Sequence, residues 1–179
     1  MRLIKSLDQI SLADMPVVGS KAYNCARLRK AGFQVPDGFV ITSDILDLSF
    51  QSLDLDEEFE RFPESTLFAV RSSAIDEDSA KHSFAGIHET KLNVTRDRMV
   101  EAVNACLVSV KAPRAIAYRR VMGLKTDNVK TGILIQEMIQ PIISGVAFTM
   151  NPVTGFTDEL VINASWGLGD ALVSGRVER

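Results

Sequence analysis

The most informative segment of the chain reads LFAVRSSAIDEDSAKHSFAG and covers residues 67–86. Its first four residues, Leu67 to Val70, are a continuous apolar run that predicts a buried strand. Arg71 follows this run and leads into a long polar segment rich in serine, aspartate, glycine and alanine. We expect the strand to deliver the arginine to one end of a sheet, where its guanidinium group can hold a phosphate through two parallel hydrogen bonds.

The polar segment after Arg71 supports two interpretations. Its small residues would let backbone amides approach phosphate oxygens closely, which favours a phosphate site. The same composition also suits an ordinary polar loop in which Arg71 pairs with Asp76 or Glu77. The residue types alone leave both interpretations open.

Hydrophobic periodicity predicts helices and strands on both sides of this segment. Helices are predicted at residues 19–32, 44–62, 96–110 and 113–122, and a further helix begins at Gly167. Strands are predicted at residues 39–41, 67–70, 90–94, 131–139, 143–149 and 158–164. Because helices and strands mix without strict alternation, we expect an α+β fold with a largely antiparallel sheet and flanking helices.

The helix predicted at 96–110 has the clearest apolar face, formed by Met99, Val103, Cys106 and Val110 at helical spacing. Both cysteines of the chain, Cys25 and Cys106, lie on apolar helix faces and match no metal or redox spacing. We therefore expect both to be reduced thiols that pack in the core.

Two other segments are candidates for nucleotide contacts. Gly19-Ser20-Lys21 stands at a predicted helix start, where free backbone N–H groups and a lysine suit an anion, although the pattern also fits an ordinary helix start. Gln136-Glu137-Met138-Ile139 ends a strand in apolar surroundings that suit a planar base such as adenine. Taken by itself, this second segment fits a core strand that exposes Gln136 and Glu137 better than an adenine site.

The composition narrows the class of protein. A formal charge of −3 argues against a nucleic-acid-binding protein. No apolar run approaches the roughly 18 residues that span a membrane, and Met1 to Lys5 does not begin a signal peptide. These features lead us to expect a cytoplasmic protein without nucleic-acid or membrane partners.

Taken together, the segments resemble one family both in their order along the chain and in their residues. The blocks 18–22, 31–39, 69–74, 83–86 and 92–94 are similar to the ATP-binding domain of pyruvate phosphate dikinase and phosphoenolpyruvate synthase. Further similar blocks lie at 136–138, 145–149, 151–155 and 167–169. The resemblance covers nearly the whole chain, and rifampin phosphotransferases share the pattern.

The resemblance implies a role for each matching residue. Lys21 and Arg71 would contact the phosphates of ATP. Gly86 and Thr90 would belong to the loop and strand that close over the nucleotide. Gln136 would lie at the adenine pocket, with Met138 and Ile139 packing nearby. Departures from the family pattern occur at Ser20, Ile75 and Ile87, where a glycine, a threonine and a glutamine are usual.

The resemblance also implies an ATP-grasp-like fold and an ATP-dependent phosphotransferase that uses Mg²⁺. Such enzymes pass the phosphate of ATP to a histidine on a separate carrier domain and from there to pyruvate, which gives phosphoenolpyruvate. Rifampin phosphotransferase keeps the ATP domain and changes the acceptor. We expect the Mg²⁺ ligands, the carrier histidine and the acceptor domain downstream of Arg179, so the chain alone would be inactive. A truncated, non-catalytic remnant is the rival interpretation.

The resemblance also gives an expected division of the chain. Residues 1–66 and 67–130 would form the first subdomain of the ATP-binding domain, and residues 131–179 would begin the second.

Overall fold

The computed structural model describes residues 3–44, 55–75, 78–79, 82–83, 89–127 and 129–173. The chain forms two compact units, Met1–Met138 and Ile139–Arg179. Helices flank antiparallel sheets, so the expected α+β class is confirmed. Within the described ranges, no helix combines the length and the apolar character that crossing a bilayer requires.

The first unit is organised around a five-stranded sheet. In chain order, the described strands of this unit are β1 (Ile4–Ser6), β2 (Gly38–Ile41), β3 (Phe68–Ala74), β4 (Asp78–Ser79), β5 (His82–Ser83), β6 (Thr90–Val94) and β7 (Thr131–Glu137). Strands β4 and β5 pair with each other, and the other five form the sheet. The strand order in the sheet is β1-β2-β7-β3-β6, and every neighbouring pair is antiparallel. The longest strands, β3 and β7, therefore lie side by side in its middle.

Helices cover both faces of this sheet. The helices of the first unit are α1 (Met15–Lys30), α2 (Asp56–Phe59), α3 (Met99–Val110) and α4 (Pro113–Val121), and short 3₁₀ turns lie at Leu7–Gln9, Leu12–Asp14 and Arg96–Arg98. Helix α1 packs on one face of the sheet and α3 on the other. Of the helix predicted at 44–62, residues 45–54 lie outside the described residues and α2 is the described helical part.

The α3 face carries the larger core. The apolar stripe predicted for α3 is confirmed, because all four of its members are buried: Met99, Val103, Cys106 and Val110. The first three pack against Phe68 and Val70 of β3 and against the neighbouring strands. Phe59 and Phe62 add edge or tilted ring contacts with Phe68, at centroid distances of 5.4 Å and 5.2 Å. This packing fixes which side chains of β3 point toward α3.

The α1 face carries a smaller core of aliphatic side chains. Val18, Ala22 and Ala26 of α1 pack there against Val40 of β2 and Leu134 of β7. The predicted end of this helix is confirmed, since Gly32 has a φ of +87° and its N–H donates to the carbonyl oxygen of Arg29. The predicted start at Gly19 is different, because α1 begins four residues earlier, at Met15.

Strand β7 links the two halves of the sheet. It pairs with β2 on one side and with β3 on the other, over registers such as Val40↔Leu134 and Val70↔Ile135. The two compact units accordingly divide after Met138 rather than before β7. The family subdomain boundary expected at residue 131 stays a prediction.

The second unit contains one antiparallel pair, β8 (Ile143–Phe148) and β9 (Val161–Trp166), followed by helix α5 (Asp170–Val173). Strand β9 begins three residues later than predicted. The side chain of Asn151 holds the turn before it, since its amide nitrogen donates to Glu159 and its carbonyl oxygen accepts the N–H groups of Val153 and Thr154. Residues 158–160 therefore belong to this turn and not to the strand.

Cys106 is fully buried, and its thiol donates to the carbonyl oxygen of Val70 at 3.4 Å. Burial raises the pKa of the thiol to about 11 from its ordinary value of 9.0. Cys25 is half-buried, and neither cysteine forms a disulfide, as expected for reduced thiols.

We expect the Cys106 thiol to make the protein less stable at alkaline pH. The folded state holds this proton more tightly than the unfolded state, so the contribution is complete below pH 9 and is lost as the pH rises toward 11. By about pH 10.5 the loss should reach about 2 kcal/mol. Denaturant titrations from about pH 8 to 10.5 should show this loss in the wild type but not in Cys106→Ala. An equal decline in both proteins would contradict the assignment.

Candidate functional site

Helix α1 contains a break at the position where the sequence predicts a helix start. Gly19 has non-helical angles, φ +80° and ψ 168°, and divides α1 into a short first turn and a longer helix that restarts at Ser20. A Cβ atom on Gly19 would lie only 1.8 Å from the carbonyl oxygen of Ser73. The backbone of α1 thus touches the backbone of β3 at this break.

A second glycine allows the same close approach from the neighbouring strand. A Cβ atom on Gly132 of β7 would lie 2.6 Å from the carbonyl oxygen of Val18. Ser73 and Gly132 are cross-strand partners in the sheet. The break in α1 therefore sits directly on one residue pair of β3 and β7.

Three consecutive residues after the break bond to three consecutive residues of β3. The hydroxyl of Ser20 donates to the carbonyl oxygen of Ala74 at 2.9 Å. The ammonium group of Lys21 donates to the carbonyl oxygen of Ser72 at 3.0 Å. The third of these bonds runs from the backbone N–H of Ala22 to the hydroxyl oxygen of Ser73 at 3.0 Å. Lys21 is thereby held beside the strand residue that follows Arg71.

Arg71 lies in the middle of β3 and not at its end. The expectation that the strand stops at Val70 is wrong, because Ser72 and Ser73 are buried and pair with Ile133 and Gly132 of β7. Side chains alternate along a strand, and Val70 points into the core under α3. The half-buried Arg71 therefore lies on the α1 face, the face that Lys21 reaches.

The polar-loop interpretation pairs Arg71 with residues that the structure does not describe. Asp76 and Glu77, its candidate partners, are not among the described residues, and neither is Gly86. Among the residues that are described, no carboxylate forms an ion pair with Arg71.

Thr90 joins the same side of the sheet from the edge strand. It is exposed and is the direct cross-strand partner of Arg71, so the two side chains share a face. The next residue, Lys91, belongs to the other face and pairs with Glu89 at 2.6 Å. The hydrogen bond to Glu89 raises the pKa of Lys91. The charge of Lys91 is therefore paired with Glu89 on the face opposite Arg71.

Gln136 lies farther along the α1 face. Its cross-strand partner is Ala69, two residues before Arg71, so the side chains of Gln136 and Arg71 lie on the same face. The interpretation that exposes Gln136 is wrong, since its side chain is buried and its amide nitrogen donates to the carbonyl oxygen of Pro36 at 3.1 Å. In this structure Gln136 holds the turn that leads into β2.

Met138 follows β7 directly and is half-buried. Its backbone N–H donates to the carbonyl oxygen of Leu67 at 2.8 Å, and Ile139, the next residue, has an exposed side chain. The preceding Glu137 is half-buried and accepts the N–H of Asp37 at 3.0 Å. The side chains of Met138 and Ile139 are thus at least partly exposed to solvent. The N–H of Met138 and the carboxylate of Glu137, in contrast, already form hydrogen bonds.

The candidate residues form a line along one face of the sheet. Lys21 is bound at the level of Ser72, Arg71 follows, and Gln136 stands opposite Ala69. A strand rises about 3.3 Å per residue, so the level of Gln136 lies about 10 Å from that of Ser72. The cations stand toward one end of the face, and the residues expected at adenine stand toward the other.

The chemistry of this arrangement is that of anion binding. An ammonium and a guanidinium group share one face, and a guanidinium can bind two phosphate oxygens at once. The described part of the chain contains no group of three His, Cys, Asp or Glu side chains that could hold a metal ion.

Sequence reasoning missed Ser73, which contacts α1 at two points. Its hydroxyl accepts the N–H of Ala22, and its carbonyl oxygen abuts Gly19. A serine pair after an apolar run predicts a loop from composition alone. No local signal marks Ser73 as a strand residue, because Arg71, Ser72 and Ser73 are three polar residues in a row.

Comparison with known proteins finds one family over most of the chain. A family model described as the pyruvate phosphate dikinase, AMP/ATP-binding domain matches residues 54–179. Phosphoenolpyruvate synthase of Aeropyrum pernix is 34% identical over 226 aligned positions, which cover 98% of this chain and 28% of that protein. The phosphoenolpyruvate synthase of Pyrococcus furiosus is 30% identical over 257 positions, with 98% and 32% covered. An uncharacterized phosphotransferase of Bacillus subtilis is 34% identical over 187 positions, with 90% and 22% covered. The chain thus spans about a fifth to a third of the length of these relatives.

Proposed function

Because the chain belongs to the pyruvate phosphate dikinase AMP/ATP-binding family, we propose that it forms an ATP-grasp-like, ATP-binding part of a phosphotransferase. The observation that carries this proposal is the placement of Lys21 beside Ser72, on the face of the sheet to which Arg71 belongs. Two cations from distant parts of the sequence thereby reach one surface. A triphosphate is the part of ATP that requires them.

The roles of the other candidate residues follow from their positions along this face. We assign Lys21 and Arg71 to the phosphates and Thr90, with Gly86, to the segment that closes over the nucleotide. Met138 supplies apolar contact for adenine. Gln136 contributes indirectly, since its amide fixes Pro36 at the same end of the sheet.

The reaction is proposed from the relatives. Phosphoenolpyruvate synthases match almost the whole chain, so we propose that the phosphate of ATP passes to a carrier histidine and then to pyruvate. Bound Mg²⁺ would neutralise negative charge on the phosphates as it develops. We place the Mg²⁺ ligands, the carrier histidine and the acceptor site in parts of the protein other than residues 1–179.

The alternative proposal is a rifamycin as the acceptor, which the resemblance to rifampin phosphotransferases suggests. The Bacillus subtilis phosphotransferase matches this chain at 34% identity, the same value as the Aeropyrum pernix synthase, and its description names no acceptor. Incubating the full-length protein with ATP and either acceptor distinguishes the two: phosphoenolpyruvate supports the first proposal, and a phosphorylated rifamycin supports the second.

The ATP-binding role predicts a selective effect of Lys21→Met. We expect ATP affinity to fall roughly 10- to 30-fold, because one charge-assisted contact to a phosphate is lost. Adenosine affinity should stay unchanged, since adenosine carries no phosphate. Calorimetric titration of the full-length protein with both ligands measures the two effects.

The matched control for this prediction is Lys111→Met. Lys111 is an exposed lysine that follows α3, on the opposite side of the sheet. This variant should bind ATP as the wild type does. If both lysine variants lose the same affinity, or if Lys21→Met also loses adenosine, the phosphate role of Lys21 is wrong.

A further inference from the structure

The restarted part of α1 lacks a capping side chain of its own. The first N–H groups of a helix have no partner within the helix, and a side chain at the N-cap position usually accepts one of them. Here the residue at that position is Gly19, which has no side chain. The break also lies in a buried region, since Gly19 and Ser20 are both buried, so water cannot easily replace the missing partner.

Strand β3 supplies the missing cap. The hydroxyl oxygen of Ser73 accepts the N–H of Ala22, the third residue after Gly19, which is the N–H that an N-cap side chain would serve. Ser73 is fully buried and lies 51 residues away in sequence from Ala22. Its carbonyl oxygen stands so near Gly19 that no larger residue fits there. The glycine and the serine thus form one complementary contact.

We propose that Ser73 is a positioning residue for phosphate binding: its hydroxyl caps the restarted helix from the strand and fixes Lys21 beside Arg71. The proposal rests on the proposed phosphate roles of Lys21 and Arg71. Lys21 lies in the first turn of the restarted helix, between Ser20 and Ala22, which both bond to β3. This turn therefore sets the backbone position from which the Lys21 side chain reaches the carbonyl oxygen of Ser72.

The physical argument concerns the cost of losing the hydroxyl. Without it, the buried N–H of Ala22 has no acceptor, which disfavours the present position of the first turn. The turn then frays or shifts, and Lys21 moves relative to Arg71. Two cations bind one phosphate chain together only if their relative position is correct to within about 1 Å. Phosphate binding should therefore weaken although Ser73 itself contacts no phosphate.

The first test is Ser73→Ala in the full-length protein. We expect ATP affinity to fall about tenfold and adenosine affinity to stay within about twofold of the wild type, both measured by calorimetric titration. The matched control is Ser109→Ala. Ser109 is also a buried serine whose hydroxyl accepts one backbone N–H, from Glu89 at 3.1 Å, but it belongs to α3 on the other face. Its replacement should leave ATP affinity unchanged, and an equal loss in both serine variants would overturn the proposal.

The second test is a double-mutant cycle between Ser73 and Lys21. If Ser73 acts through Lys21, Ser73→Ala should cause less than a twofold further loss of ATP affinity in the Lys21→Met background. Additive losses would show that Ser73 does not act through Lys21 and would overturn the proposal. A general destabilisation would give additive losses, so the cycle also excludes a merely structural role.

Hydrogen exchange separates this proposal from the proposed function. In Ser73→Ala, the amide of Ala22 should exchange at least tenfold faster, while the amide of Glu89 keeps its wild-type rate. An unchanged rate for Ala22 would overturn the capping role even if ATP binds normally. A wild-type protein that binds no ATP would instead overturn the phosphate role of Lys21, and with it the positioning role of Ser73, while faster Ala22 exchange would still establish the cap.

Discussion

Arg71→Ala is expected to weaken ATP binding by about 2–3 kcal/mol, which corresponds to roughly a 30- to 150-fold rise in Kd. Arg71 is half-buried in the middle of a central strand, so less water screens its contacts than at the surface. The range is that of a charge-assisted contact, and the bidentate geometry of arginine places this loss above the one expected for Lys21. Adenosine binding should not change, because the apolar contacts at the end of β7 remain.

The measurement is calorimetric titration of the full-length protein with ATP and with adenosine. Arg98→Ala is the matched control, since Arg98 is an exposed arginine that pairs with Glu101 at 3.2 Å in the first turn of α3. This control should bind both ligands as the wild type does. An equal loss of ATP and adenosine in Arg71→Ala would point to a folding defect and not to a phosphate contact.

Gly19→Ala is expected to have the largest effect on stability, a loss of more than about 3 kcal/mol. The new methyl group would lie 1.8 Å from the carbonyl oxygen of Ser73, a distance that only a backbone shift can relieve. A φ of +80° adds a conformational cost of about 1–2 kcal/mol for any residue with a Cβ. The shift would also separate α1 from β3 at the site of the three hydrogen bonds.

Gly32→Ala provides the comparison that isolates the clash. Gly32 also has a positive φ, +87°, but a Cβ atom there would meet nothing within 4 Å. This variant should lose only the conformational term, about 1 kcal/mol. Denaturant unfolding of both variants measures the difference. Equal losses would mean that the contact between Gly19 and Ser73 is less tight than the structure has it.

Elements with a regular apolar pattern could be predicted from the sequence. Helix α3 was found with its buried face, because Met99, Val103 and Cys106 recur at helical spacing and all of them pack on the sheet. The helix predicted at 19–32 closes at Gly32, because glycine adopts the positive φ found there. In these elements the local pattern and the tertiary packing agree.

The ends of β3 and α1 could not be predicted in the same way. Ser72 and Ser73 look like loop residues, and they are strand residues only because β7 and α1 satisfy their polar groups. The break at Gly19 likewise depends on the position of Ser73, which is distant in sequence. Such features arise where two parts of the chain meet, and a local pattern does not contain both parts.

The candidate site shows the same division. The sequence identified Lys21 and Arg71 as phosphate cations, and the structure places them on one face of the sheet, while their role stays a prediction. The amide of Gln136 was expected at adenine, but it is engaged with Pro36. Its partner is 100 residues away in sequence, so the bond leaves no trace in the pattern around Gln136.

The place of β7 in the sheet also determines the order in which the first unit can be assembled during synthesis. Strand β7 is the last of the five strands to leave the ribosome, yet it is the one that joins β1–β2 to β3–β6. Until residues 131–137 emerge, the chain can form two separate strand pairs but not the complete sheet. Pairing over such long sequence distances slows folding and leaves apolar strands exposed in the meantime. The unpaired edges of β2 and β3 are therefore prone to aggregation until β7 has been synthesised.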